Sequence, residues 1–233
     1  ERIAEPNRTR TTWVWNLIDS IRTIADAKRI ADCWRYASGQ PSTGGDDFFP
    51  GTAAQQLADY LFAAHLGGRT VADVFRWASS ERNTEPVTIL SQHEGYGEIA
   101  SRVSSVIALT PETSSGVFGS LQTMVAFLAD PDVIEWNLPR EGDGTPVGRA
   151  AFDPVAFVAS EGDTLYLLSA QGRPSTALTA YLTADVAFTA FHYAQSECVD
   201  NDRRLPRPMC CVLDEAANIC RWPELADVYS YFG

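Results

Sequence analysis

Met209-Cys210-Cys211-Val212-Leu213 is an unbroken apolar run that ends on the acidic pair Asp214-Glu215, and no other stretch narrows the possible folds of this chain as much. A run without polar alternation suits a central parallel strand covered on both faces. Upstream, Thr164 to Leu168 reads as another strand, and Gly172 and Pro174 punctuate the chain. Ser175 then opens a helix through about Glu197, with Leu178, Tyr181, Leu182, Phe188 and Phe191 on a broad stripe suited to a sheet face. Strand, helix and strand in that order predict a parallel crossover. Asn201 to Pro208 is a short polar connection that reads as a solvated loop.

The preceding part of the chain has a different texture. Ile21, Ile24, Ala27, Ala31 and Trp34 recur at helical spacing, as do Leu57, Leu61 and Ala64. Helix starts are marked by Thr70-Val71-Ala72-Asp73, a capping box with Asp in the Glu position, and by Thr110-Pro111-Glu112, an N-cap followed by a first-turn proline and an early acid. Asp130-Pro131 is expected to stop the helix carrying Val117, Leu121, Val125 and Leu128. The aromatic residues Trp34, Tyr36, Phe48, Phe49, Tyr60, Phe62, Phe75 and Trp77 have few basic neighbours, so they read as packing and not as a base-stacking platform. From Asn137 the turn-rich Pro139 to Gly148 marks a linker or exposed loop.

The 233 residues carry 30 acidic against 18 basic side chains, a net charge of −12, where a surface that grips DNA should be basic. No apolar run approaches the roughly 20 residues needed to span a bilayer. The five cysteines are odd in number, lack a C-x-x-C pair and read as small buried hydrophobes. His65, His93 and His192 are scattered.

At the carboxyl end of a parallel strand, Asp214 and Glu215 have the form of a Walker B pair. In that reading Asp214 holds the Mg²⁺ shell of a bound nucleotide and Glu215 orients and deprotonates the attacking water. The segment that follows, through Ala216-Ala217-Asn218 to Pro223-Glu224-Leu225, resembles the VirD4/TraG-type coupling proteins of type IV secretion and conjugation. Phe152-Asp153-Pro154, Gly162 to Leu168, the Ala-rich helix and the acidic run follow the same order of elements. Trp15-Asn16-Leu17 resembles the short element that leads into the family's all-α domain, with Ile18 where the family pattern differs.

The resemblance implies an α+β, α-rich chain in which a helical all-α domain joins part of a RecA-like α/β P-loop NTPase domain. Residues 1–17 would belong to the nucleotide-binding domain, 18–136 to the all-α domain, 137–151 to a linker or loop, and 152–233 to the partial RecA-like domain with Walker B. The same resemblance implies a parent that is a hexameric ATPase using ATP and Mg²⁺, anchored at the cytoplasmic face of the bacterial plasma membrane. It would recruit a relaxase, relaxosome proteins or protein cargo, meet secretion-channel components and move DNA.

A phosphate-binding loop needs glycines and a lysine. The single lysine, Lys28, has no glycine before it, and the glycine stretches Ser42 to Asp47 and Glu141 to Gly144 carry negative charge. The chain is therefore expected to be a soluble, monomeric and catalytically inactive piece of the motor, with Walker A upstream of residue 1. Two other readings stay open: another DNA-pumping ATPase of the FtsK/HerA group, and a non-catalytic α/β interaction domain.

Overall fold

Thr23 opens the first long helix because its hydroxyl accepts from the Asp26 N–H at 3.3 Å while the Asp26 carboxylate accepts from the Thr23 N–H at 2.9 Å. Two orphan N–H groups are satisfied at once. The computed structural model describes residues 13–40, 47–137, 150–167, 175–220 and 222–228. Strand β1 (Trp13–Val14) precedes a 3₁₀ turn, Leu17–Ser20, whose start is capped by Asn16. Helix α1 (Ile24–Ala37) follows.

Then come α2 (Phe48–Leu66), α3 (Val71–Ala78), α4 (Glu85–Ser91), α5 (Gly97–Ile107) and α6 (Pro111–Val125). The expected capping box at α3 is present, with the Asp73 carboxylate accepting from both the N–H and the hydroxyl of Thr70 at 3.0 Å. Helix α2 is the hub against which α1, α3, α4, α5 and α6 pack. Its residues Ala53, Ala54 and Gln56 through Ala64 are all buried, as expected for a helix apolar all round. Gly67, just past α2, packs against Ile89 of α4, whose Cδ1 would lie 2.8 Å from an added Cβ and would have to shift to admit it.

Pro131 has a different role from the one expected. Helix α6 ends at Val125 and a 3₁₀ turn, Ala126–Ala129, leads to Asp130. Pro131 then begins α7 (Pro131–Asn137). A proline at the first helical position gives up an N–H that has no intrahelical partner anyway, so it starts a helix as readily as it ends one.

Strand β2 (Ala150–Ala151) pairs parallel with β1, Trp13 opposite Ala150 and Val14 opposite Ala151. The Phe152 N–H donates to Val14 C=O at 2.7 Å, and the Trp15 N–H donates to Trp136 C=O at 3.2 Å. These bonds bring the two ends of the helical excursion between Trp15 and Trp136 together. Asp153 caps α8 (Pro154–Ala159) by accepting from the Val155 and Ala156 N–H groups. The long helix α9 (Ser175–Glu197) lies against α1 and α8, and α10 (Ala216–Ile219) and α11 (Leu225–Val228) follow.

The described residues are mostly helical, and their only ladder is the two-residue parallel pair. The strands expected at Thr164 to Leu168 and Met209 to Leu213 are not formed among them, and neither is the expected crossover. A strand exists only through backbone pairing with a neighbour. Leu165 and Leu167 turn inward while Thr164 and Tyr166 turn outward, so the side chains alternate although no ladder is made. Helix α9 also exceeds the stripe expected of it: from Thr176 to Ala190 no residue is exposed, whereas Phe188 and Phe191 are only half-buried.

One apolar core runs from Trp15 to Val228 and joins the helical excursion to α9. Of the aromatic residues read as packing, Trp34, Tyr60, Phe62 and Trp77 are buried, while Tyr36, Phe48 and Phe49 are exposed. The charged loop through Ser42 and Gly44, nearly all of the 137–151 linker, and the punctuating Gly172 and Pro174 lie outside the described residues.

Candidate functional site

Asp214 and Glu215 sit at the turn between the irregular Met209–Leu213 segment and α10, and both carboxylates are exposed. Glu215 adopts φ +55°, the left-handed region that a non-glycine residue enters at a cost of order 1 kcal/mol. Its Oε2 accepts from Asn218 Nδ2 at 2.6 Å. Asn218, one helical turn on, therefore fixes the direction of the Glu215 carboxylate, a positioning partner that only the spacing of the Asp-Glu-Ala-Ala-Asn run foreshadows.

Asp214 lines an open cleft of about 430 Å³ with Leu165, Leu167, Thr183, Val186 and Met209. The cleft separates α9 from the two irregular segments, the place where a covered sheet was expected. Val212 on its rim is 85% exposed. Cys210 and Cys211 are exposed too, unlike the buried role expected of all the cysteines, while Cys33, Cys198 and Cys220 are buried. The polar connection ahead of the segment is tied down by Arg207, which donates to Glu161 C=O at 2.6 Å.

The acids are of the right kind and exposure to join a Mg²⁺ shell and a water. The structure brings no lysine to them: Lys28 stands on α1, where its charge acts on Asp32. No group of three or more His, Cys, Asp or Glu side chains suited to a metal occurs among the described residues.

A second polar cluster, away from the predicted pair, joins α1, α9 and the residues before α11. Arg29 on α1 pairs with Asp26 at 3.2 Å and with Glu224 at 3.4 Å, and its guanidinium lies 3.9 Å from the centre of the Phe188 ring on α9. Trp222 donates from Nε1 to Glu224 Oε2 at 3.1 Å and meets Phe188 edge to face. Tyr181 stacks on Trp15 and shares a 3.2 Å hydrogen bond with Ser20.

Asp185, also on α9, is 4% exposed, and its Oδ2 has no hydrogen-bond partner. Burial, opposed by Arg22 and reinforced by Asp26, pushes its carboxyl up to about 7. Burial works to raise Asp26 as well, but hydrogen bonds from the Arg22 and Thr23 N–H groups and the Thr23 hydroxyl hold it below the usual range. One signal in the sequence pointed here: Asp185 is the first acid in α9, set between Ala184 and Val186 in an otherwise apolar stretch.

Compared with protein-family models, with curated proteins and with solved structures, the chain gives no match. Fold and geometry alone define it as an α-rich protein with a short parallel ribbon, a continuous helical core and an exposed acidic pair beside an apolar cleft. None of its described helices is long and apolar enough to cross a membrane.

Proposed function

We propose that this chain is the all-α and Walker B portion of a type IV secretion coupling protein, a hexameric ATPase that recruits relaxase-bound DNA or protein cargo for conjugative transfer. The observation that carries the reading is the acidic pair at the end of an apolar segment, with Glu215 held in a strained backbone and aimed by Asn218. Backbone strain of this kind persists where the surroundings enforce it, and functional sites are where it concentrates. The meeting of residues 13–15 with 136 and 150–152 supports a helical domain inserted between two parts of a nucleotide domain.

In the parent, Asp214 would hold the Mg²⁺ of bound ATP, and Mg·ATP would supply the transferable phosphoryl group and its charge neutralisation. Glu215 orients a water and accepts its proton, while Asn218 keeps the Glu215 carboxylate from rotating away. The reading requires a phosphate-gripping loop with a lysine, and the single lysine, Lys28, lies on α1. The helical domain receives cargo at the cytoplasmic face of the membrane, consistent with an acidic chain that grips protein in preference to DNA.

A non-catalytic interaction domain is the second reading, favoured by the position of 209–213 outside any ladder. Turnover of the full-length parent separates the two. Glu215→Gln should keep ATP binding and lower hydrolysis by at least about 100-fold. Unchanged hydrolysis in that variant rejects the catalytic assignment.

A further inference from the structure

The cluster between α1, α9 and Glu224 contains three carboxylates, Asp26, Asp185 and Glu224, against two guanidiniums, Arg22 and Arg29. Three acids therefore share two guanidiniums there. Asp26 is held ionised by the capping hydrogen bonds of α1, and Glu224 is 44% exposed and paired with Arg29. Asp185 is buried and leaves an oxygen unpartnered, so the proton belongs there.

The groups facing Asp185 are few. On the α1 side they are Arg22, Asp26 and Arg29, and on its own helix Tyr181, whose hydroxyl is occupied by Ser20. The other elements against α9, α8 and α10, carry no ionisable residue. Asp200, in the 3₁₀ turn after α9, is fifteen residues on, about 22 Å along a helix axis. Glu224 also acts on Asp32 of α1, which feels Lys28 and Arg35 in turn.

We propose that Asp185 is a proton-operated latch: neutral, it leaves Arg29 bound to Glu224 and the 222–228 segment docked on α1 and α9; ionised, it draws Arg29 away and releases that segment. An ionised buried carboxylate demands a partner, and of the two cations that act on Asp185, Arg29 is the one inside the seam, with 17% of its side chain exposed against 53% for Arg22. Once Arg29 turns toward α9, Glu224 loses its cation, and the Trp222 edge on Phe188 loses the clamp that orients it. The released residues follow the acidic pair in sequence. The latch therefore bears on that end of the chain whether or not it hydrolyses ATP.

The test is hydrogen exchange of the 222–228 amides in the full chain at pH 5.5 and 8.5, corrected for intrinsic rates. Exchange should rise about tenfold at the higher pH and stay slow at both in Asp185→Asn. Glu224→Gln, which removes the competing acceptor without touching Asp185, should exchange fast at both. A ¹³C titration of the wild-type Asp185 carboxyl gives an independent reading even if a variant fails to fold. A midpoint near neutrality supports the latch, and a midpoint below about 5 overturns it. So does protection of 222–228 that ignores pH, or that still responds to pH in Asp185→Asn.

Discussion

The helical excursion from α1 to α6 and the region from Ala150 to Val228 are built on opposite terms. In the first, α2 is surrounded by five helices, and a helix makes its interior backbone hydrogen bonds within its own chain segment. In the second, α9 supplies most of the burial while 164–167 and 209–213 are in no strand, leaving Tyr166 and Val212 exposed. Helices complete themselves, whereas strands wait for a neighbour. The acidic pair sits in this second region, beside a segment that is in no strand.

The largest expected effect lies inside the self-sufficient region. Asp59 is fully buried in α2 and takes two hydrogen bonds from Arg102, at 2.6 and 2.8 Å, plus one from Gln55. Burial nonetheless raises its carboxyl above the usual range. Arg102→Met strands the charge and should cost about 4 kcal/mol in denaturant unfolding. Leu61→Ala, in the same helix, should cost about 3 kcal/mol by opening a cavity that five helices cannot all close. A loss below about 1 kcal/mol in both would mean that α2 is not the hub.

At the seam between the regions the effect depends on pH. With a folded value near 7 against an ordinary 3.8, Asp185 is neutral in the folded chain over a range where it is ionised in the unfolded one. Its contribution therefore falls as pH climbs from about 4 and levels off past 7. Asp26, held low when folded, works the other way and is lost as pH drops through its folded value. Asp185→Asn should be about 2 kcal/mol more stable than wild type at pH 8 and little different at pH 4. Equal unfolding curves at pH 8 would contradict the buried unpaired carboxyl.

The smallest effect belongs to the second region. Val212→Ala should change stability by less than about 0.5 kcal/mol, since a side chain 85% exposed has little burial to lose. A cost above about 2 kcal/mol would show that the 209–213 segment is covered after all.

The same contrast governs what could be read from the residues. Ile24 to Trp34, Leu57 to Ala64, the Thr70–Asp73 box and Ser175 to Glu197 announce their helices because period and caps are local properties. Pro131 misleads because one residue can end a helix or begin the next. Met209 to Leu213 reads as a strand from composition, but pairing is a property of two segments, and the second is not encoded in the first. The acidic pair is visible as a motif, and its aiming by Asn218 requires the turn at Glu215. Asp185, Arg29 and Glu224 lie far apart in sequence, so their cluster emerges only when α9 is laid on α1.

The claim that this is the cargo-recruiting part of a transfer motor is tested most directly by titrating the purified chain against relaxase and accessory proteins of its own element, with single-stranded DNA in parallel. Binding to a relaxosome protein without binding to DNA is the predicted result, since a net charge of −12 disfavours a phosphate backbone. Binding to DNA alone, or to neither, contradicts the account.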